Sequence, residues 1–367
     1  MVLKMLEMIE GVIDSVKGRV RRRYALDRLQ IIAYPGFCNK DTMFVRGRVL
    51  VGKDIESSNE EHGRMRNFRN MAKRFFSAEI PHAQLEVHWQ GQEKAINADH
   101  EGFFFAELPL ESGKTAEAVF HNLEPATSEP VKTEAKIFPC HENSDLAIVS
   151  DVDDTILLTM ARKAIRMVAL TLFGNAHSRR SFAGVANWYQ ALRLGADGKQ
   201  NNPFFYVSSS PWNLYDFLEE FLEVNGIPAG PFFLRDHGFG AKGTHRSHKT
   251  NAIQQLLKTY PDKPFLLIGD SGQHDPEIYL DIVKEHPGRI KGILIRNVTG
   301  MLPLRHQEVE RLGKEMEELG CSFKFFERTE QALDACWRWR LIHTGVPASS
   351  VSELPKPTIT PNEDRPV

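Results

Sequence analysis

The sequence predicts a chain of two parts: a β-rich part that reads as a small antiparallel sandwich, then an α/β part. In the second, a parallel sheet carries helices on both faces. Three observations predict this. The 367 residues suit about two domains at roughly 100–200 residues each. Between residues 28 and 142, short runs alternate apolar and polar side chains and are separated by turn signals, as half-buried strands are. From residue 143 the runs become wholly apolar and alternate with helical patterns, as strands buried on both faces do. The boundaries read as 1–27, 28–142, 143–343 and a tail at 344–367.

Residues 1–23 read as an amphipathic helix. Val2, Met5, Leu6, Ile9, Val12, Ile13, Val16 and Val20 recur at three- and four-residue steps, and the end is basic (Lys17, Arg19, Arg21, Arg22, Arg23). Such a stripe usually packs on protein; the alternative is a helix resting on anionic lipid. Strands are expected at 43–50, 83–89, 103–108, 117–120 and 131–138, with turns at Gln90-Gly91 and Ser112-Gly113. A basic helical insert is expected at 56–76, most simply as a solvated face. In the second part the apolar runs are 146–149, 204–207, 232–234, 265–268 and 293–295. A helix carrying Leu214, Phe217, Leu218, Phe221 and Leu222 ends at Asn225-Gly226, with Pro228 beyond. The Pro- and Ser-rich residues 344–367 read as a disordered tail.

Composition removes several function classes. Lys plus Arg number 46 and Asp plus Glu 48, a net charge of −2, which argues against nucleic acid as a partner. The four cysteines, Cys38, Cys140, Cys321 and Cys336, form no C-x-x-C pair, so a disulfide scaffold and a cysteine zinc site are disfavoured. Free thiols suit a reducing compartment, which points to the cytoplasm, with peripheral membrane association as an extension. No apolar run approaches the roughly 20 residues that span a bilayer, so no transmembrane segment is expected. Lys4, Glu7, Glu10 and Asp14 interrupt the opening residues, which therefore lack a signal-peptide core.

In an open α/β sheet, ligands bind beyond the carboxyl ends of the strands. Asp151-Val152-Asp153-Asp154-Thr155 follows the first run, Ser208-Ser209-Ser210-Pro211-Trp212 the second, and Gly269-Asp270-Ser271-Gly272-Gln273-His274-Asp275 the fourth. Carboxylates gathered at one edge repel and need a cation. A hard divalent ion such as Mg²⁺, held by one or two carboxylates plus phosphate oxygens, fits. Taken singly, each aspartate reads as a helix N-cap; the set, all at strand ends, does not. Ser210-Pro211 reads as an N-cap followed by a first-turn proline. Gly269-Asp270-Ser271-Gly272 is like the nucleophile segment of trypsin-like serine proteases. Its place after a parallel strand, and the lack of a matching histidine segment, argue against that reading.

These residues resemble the haloacid dehalogenase superfamily of phosphatases. Asp151-x-Asp153-x-Thr155 is similar to its first motif. Ser208 stands at its strand-end hydroxyl, Lys249 at its lysine opening the helix 250–260, and Gly269-Asp270 with Asp275 matches its last motif. Tyr206 to Trp212, Leu234-Arg235-Asp236, His248-Lys249 and Gly269 to Tyr279 narrow the resemblance, over about residues 144–300. They are similar to the catalytic domain of the actin-patch type of Mg²⁺-dependent phosphatidate phosphatase.

The resemblance implies a haloacid-dehalogenase-like Rossmannoid sheet and a phosphomonoesterase working through an aspartyl-phosphate. Asp151 would be the nucleophile and Asp153 the general acid and base; Lys249 and Ser208 would hold the phosphoryl group. Asp151, Asp153, Asp270 and Asp275 would serve the metal, Asp275 in its outer shell or on Lys249. Ser209, Trp212, Arg235 and His248 are the candidate substrate contacts. The implied substrate is a phosphorylated lipid, phosphatidate, at a membrane surface. The alternatives are a soluble phosphatase acting on a small metabolite or phosphoprotein, and a non-catalytic lipid- or partner-binding module. Only about fifty residues, 159–202, separate the first two motifs, too few for a large lid, so an open site is expected. Helices are read at 164–173 and 185–194. Arg296, after the last run, reads as peripheral.

Overall fold

The computed structural model describes residues 29–51, 79–111, 115–123, 131–139, 143–152, 184–235, 245–298 and 302–343, apart from the side chains of Phe217, His245 and Arg246. The helices expected at 1–23 and 164–173, the insert at 56–76, Asp153, Asp236, Cys140 and the tail lie outside the described residues.

Among the described residues, eight strands form the first part: β1 Leu29–Cys38, β2 Thr42–Val51, β3 Gln84–Trp89, β4 Gln92–Asn97, β5 Phe103–Pro109, β6 Ala118–Asn122, β7 Lys132–Ala135 and β8 Ile137–Pro139. They make two four-stranded sheets, β5-β2-β1-β8 and β4-β3-β6-β7. Ile31, Val45, Val49, Phe104 and Leu108 from the first sheet and Leu85, Val87, Trp89 and Phe120 from the second share one buried cluster. The alternation of β3 follows directly: Leu85, Val87 and Trp89 face that cluster, while Glu86 and His88 lie on the other face. The run expected at 131–138 is broken at Lys136, so that β7 and β8 join different sheets.

β1 and most of β2 are buried on both faces. Ile31 and Ala33 of β1 turn to the β-rich core, whereas Ile32 and Tyr34 join the core of the second part. Phe37 and Phe44 join that part's other cluster. This two-sided burial makes β1 apolar nearly throughout, so that it carries little of the two-residue alternation of a half-buried strand.

The second part is a six-stranded parallel sheet in the order β11-β10-β9-β12-β13-β14. The strands are β9 Ala147–Asp151, β10 Phe204–Pro211, β11 Phe232–Arg235, β12 Phe265–Asp270, β13 Ile290–Arg296 and β14 Ser322–Phe326. The helices are α1 Val185–Leu194, α2 Tyr215–Val224, α3 His245–Thr259, α4 Asp275–Glu285, α5 Pro303–Glu318 and α6 Thr329–Arg338. Gly226 ends α2 with a positive φ of 64°, as the Asn225-Gly226 signal predicts.

The chain starts at central β9, steps outward to β11, then returns past β9 to β12 and steps outward the other way. Right-handed crossovers put connections running in opposite directions on opposite faces. Accordingly α1 and α2 pack on one face with α6, over Ile148, Phe204 and Tyr206. Helices α3, α4 and α5 pack on the other, over Val149, Phe205 and Leu267. β9 pairs with both β10 and β12, so the order reverses at β9. Its carboxyl end is the topological switch point, where such sheets open a crevice.

Candidate active site

Asp151 and Asp270 are the last residues of β9 and β12, adjacent strands at the switch point. Asp275 opens α4, the next element, with Pro276 at the first turn. The three side chains converge. Each offers a carboxylate oxygen within 4.8 Å of the other two, and all three are buried. From the far side of the sequence, Lys249 Nζ donates to Asp151 Oδ1 at 2.8 Å and to Asp275 Oδ1 at 2.5 Å. Helix α3 begins at His245, several residues before the start expected from sequence, so Lys249 sits in its second turn. That position lets the ammonium reach inward while His248 is tied to β11 by a 3.1 Å contact from Nε2 to the Phe233 carbonyl.

Two of the carboxylates are also fixed by backbone N–H groups. The N–H groups of Gly272 and Gln273 donate to Asp270 Oδ1 at 2.6 and 3.1 Å. Asp275 spends one oxygen on Lys249, while its Oδ2 accepts from the Asp270 N–H at 3.2 Å. This is a bracing position between the lysine and the strand end. Gly269 makes it possible: a Cβ there would stand 2.5 Å from Asp275 Oδ2. Ser208, at the end of the apolar run of β10, is buried, and its Oγ accepts the Ser210 N–H at 2.9 Å. Ser209 Oγ is buried and has no hydrogen-bond partner among the described residues.

The electrostatics follow from burial. Three carboxylates face one ammonium, which leaves two negative charges in excess. Burial opposes the charge on Lys249, yet Asp151 and Asp275 together outweigh it and hold its pKa well above the ordinary lysine value. Asp275 is pushed up to about 6 by burial, against the pull of Lys249 and with the repulsion of Asp151. A buried all-oxygen set with surplus negative charge fits a hard divalent cation, which takes oxygen ligands and tolerates carboxylates best. The donor set contains no sulfur or imidazole, so it fits a soft metal poorly.

Other expected residues lie farther from this cluster or serve packing. Trp212 is buried against the β-rich part: it stacks on Tyr34 with ring centroids 4.2 Å apart, and the Arg46 guanidinium lies 5.8 Å from its ring. One side of it lines a cavity of about 450 Å³ with Tyr34, Arg46, Phe103 and Phe105. Arg235 ends β11, level with Pro211 of β10. Ser210 does not cap a helix. The strand runs on through Pro211, which takes the N-cap position of the 3₁₀ turn Trp212–Leu214, and its ring offers no side-chain cap. Arg296 is buried rather than peripheral. It donates to Thr329 Oγ1 at 3.0 Å and sits 4.9 Å from the Phe326 ring, and burial pulls it down to about 10.

Two supports escaped the sequence reading. Arg305 of α5 donates to the carbonyls of Ser271 at 2.9 Å and Gln273 at 2.6 Å, and grips Glu277 with both terminal nitrogens. It therefore clasps the loop whose N–H groups hold Asp270. Ser150 Oγ donates to the Asp151 carbonyl at 2.7 Å and accepts from Tyr189 OH of α1 at 2.7 Å, bracing the end of β9. Neither follows a motif; Arg305 lies over thirty residues from the loop it holds, and only the packing of α5 beside α4 brings it there.

Comparison with known proteins finds similarity over the part of the chain that carries this cluster. Residues 146–297 match the family model described as the catalytic domain of phosphatidate phosphatase APP1, so this segment is phosphatidate-phosphatase-like. Among individual proteins, the chain is 34% identical to phosphatidate phosphatase APP1 of Saccharomyces cerevisiae over 173 residues, 45% of this chain and 28% of that protein. An uncharacterized protein of Schizosaccharomyces pombe is 27% identical over 210 residues, 54% of this chain and 33% of its own length. The chain thus spans about a third or less of the curated relatives it matches. Among solved structures, a carbohydrate acetylesterase from Xanthomonas citri aligns over 83% of this chain and 71% of its own, at a TM-score of 0.30 and 12% identity, a level that establishes no shared fold. No helix among the described residues is long and apolar enough to cross a membrane.

Proposed function

We propose that the chain is a Mg²⁺-dependent phosphomonoesterase of the haloacid dehalogenase type that hydrolyses phosphatidate to diacylglycerol and phosphate. The observation that carries the proposal is the buried meeting of Asp151, Asp270, Asp275 and Lys249 at the switch point of the parallel sheet. The similarity of residues 146–297 to a phosphatidate phosphatase catalytic domain supports the choice of substrate.

In this reading Asp151 attacks phosphorus in line. The P–O bond to the glycerol backbone breaks, and Asp153 delivers a proton to the leaving alkoxide. Water then attacks the aspartyl-phosphate, giving its proton to Asp153, and phosphate leaves with Asp151 restored. Lys249 keeps Asp151 ionised and meets the charge of the transferring group, while Ser208 and Ser209 donate to phosphoryl oxygens. Asp151 and Asp270, with the Asp153 carbonyl, would hold Mg²⁺, whose chemistry there is to neutralise charge between carboxylate and phosphoryl oxygens. Asp275 aligns Lys249 and the end of β12. His248 and Arg235 beside β11, and Trp212 on the cavity wall, are the proposed contacts for the rest of the substrate.

The test is a substrate panel with and without Mg²⁺: phosphatidate in mixed micelles against water-soluble phosphomonoesters. Phosphatidate is expected to be preferred, and EDTA should abolish turnover until Mg²⁺ is restored. Preference for soluble esters would replace the lipid substrate with a small metabolite or phosphoprotein. An inert protein across the whole panel would leave a binding module.

A further inference from the structure

The second sheet of the β-rich part carries a different set of ligand-type side chains. Glu86 and His88 are two residues apart on β3, so both project from the outer face, opposite Leu85 and Val87 in the core. Antiparallel register sets Glu93 of β4 directly across from His88, and His121 of β6 directly across from Glu86. Residues opposite each other on one face have Cβ atoms about 4.5–5.5 Å apart, so three neighbouring strands deliver two imidazoles and two carboxylates to one spot.

The side chains already converge. Glu86, His88 and Glu93 each offer a ligand atom within 4.8 Å of the others. His88 Nε2 lies 2.6 Å from Glu86 Oε2, and the His121 ring lies 4.5 Å from the His88 ring. Lys132 and Glu134 of β7 complete the face and lie 4.0 Å from each other.

We infer that Glu86, His88 and Glu93, with His121 alongside, form a binding site for a borderline divalent cation of the Zn²⁺ type. Imidazole and carboxylate together suit Zn²⁺, which draws such ligands to about 2.0–2.2 Å. The 2.6 Å contact between His88 Nε2 and Glu86 Oε2 marks the point a cation would take over. Two ligands spaced i, i+2 on one strand with others on adjacent strands form a rigid template, because the buried faces of β3 and β6 hold the backbone in place. The site is separate in composition from the acidic cluster at the ends of β9 and β12, which lacks imidazole.

The test is calorimetric titration of the full chain with Zn²⁺ in excess Mg²⁺, comparing it with a His88→Ala, Glu93→Gln double variant. The parent should bind one Zn²⁺ more than the variant, or bind it at least about tenfold more tightly. Its thermal midpoint should rise with Zn²⁺, and the variant's should not. Equal stoichiometry and affinity in the two proteins, or no Zn²⁺ bound beyond the acidic cluster, would mean that Glu86 and His88 form a simple ion pair. Should the double variant fold poorly, His88→Gln loaded with Co²⁺ gives a second reading. Its visible ligand-field band should lose intensity relative to the parent, and an unchanged band would overturn the site. Both readouts report metal binding rather than turnover.

Discussion

Asp151 is held by a charge contact more than by shape: Lys249 reaches it at 2.8 Å, and both are buried. Asp151→Asn keeps the volume and removes the charge, so turnover should fall on the order of 10³-fold or more while near-ultraviolet circular dichroism stays native. Rates near those of the parent would remove Asp151 as nucleophile. Arg305 acts one step back, through the Ser271 and Gln273 carbonyls. Arg305→Ala should raise the Mg²⁺ concentration for half-maximal rate by about 10–100-fold, as the loss of outer support for a metal ligand does, with little change at saturating Mg²⁺. The Arg305 clasp also has a pH signature. Burial opposes the Glu277 charge, but the Arg305 hydrogen bonds outweigh it and hold the carboxyl below its ordinary 4.5. A depressed carboxyl contributes stability above its unfolded value and loses it as pH falls through the folded one. The stability gap between parent and Arg305→Ala should therefore be full above pH 4.5 and shrink on acidification, as read by urea midpoints across that range.

At the scale of elements, the site depends on how closely α4 comes to the end of β12. Gly269→Ala would put a methyl 2.5 Å from Asp275 Oδ2 and 2.8 Å from its Cβ, against a buried side chain already bound to Lys249. Overpacking of this kind costs about 1–3 kcal/mol, so the urea midpoint should drop. Activity should fall further than folding explains, because Asp275 and with it Lys249 are displaced. The sequence made β9, β10 and β12 legible, together with the aspartates that end β9 and β12, because strands buried on both faces are continuous apolar runs and those terminal residues stand out. The five apolar runs of the second part were placed correctly. β1 was missed because burial on both sides erases alternation, and β4 because its QEKAIN run is mostly exposed and has little apolar signal. β14 and the helices α5 and α6 went unread although each packs on the sheet. Helix α5 buries only Val309, Leu312, Gly313 and Met316, a sparse stripe within a charged surface. Ser210 does not cap because pairing with β11 carries β10 on through Pro211, which puts the proline rather than Ser210 at the cap position.

For the whole molecule, the two parts meet through aromatic side chains rather than through a linker. Phe37 of β1 is wholly buried among Phe44, Phe205, Phe233 and Tyr260. Arg46 lies 4.4 Å from the Phe233 ring, and Arg48 donates to Asn213 at 3.0 Å. Asn39 and Tyr260 bond across to the carbonyls of Thr259 and Cys38. Trp212 belongs to this junction yet follows the strand that carries Ser208, so the β-rich part buttresses the carboxyl end of β10. The Tyr34–Trp212 stack is the contact that joins those two roles. A cycle of Tyr34→Ala, Trp212→Ala and the double variant should return a coupling of about 0.5–1.5 kcal/mol beyond the separate losses of buried area. If the buttress reaches the site, Tyr34→Ala should also lower the rate at saturating substrate, although Tyr34 lies on a strand of the other part. Additive stabilities together with an unchanged rate in Tyr34→Ala would show that the junction holds the parts together without shaping the end of β10.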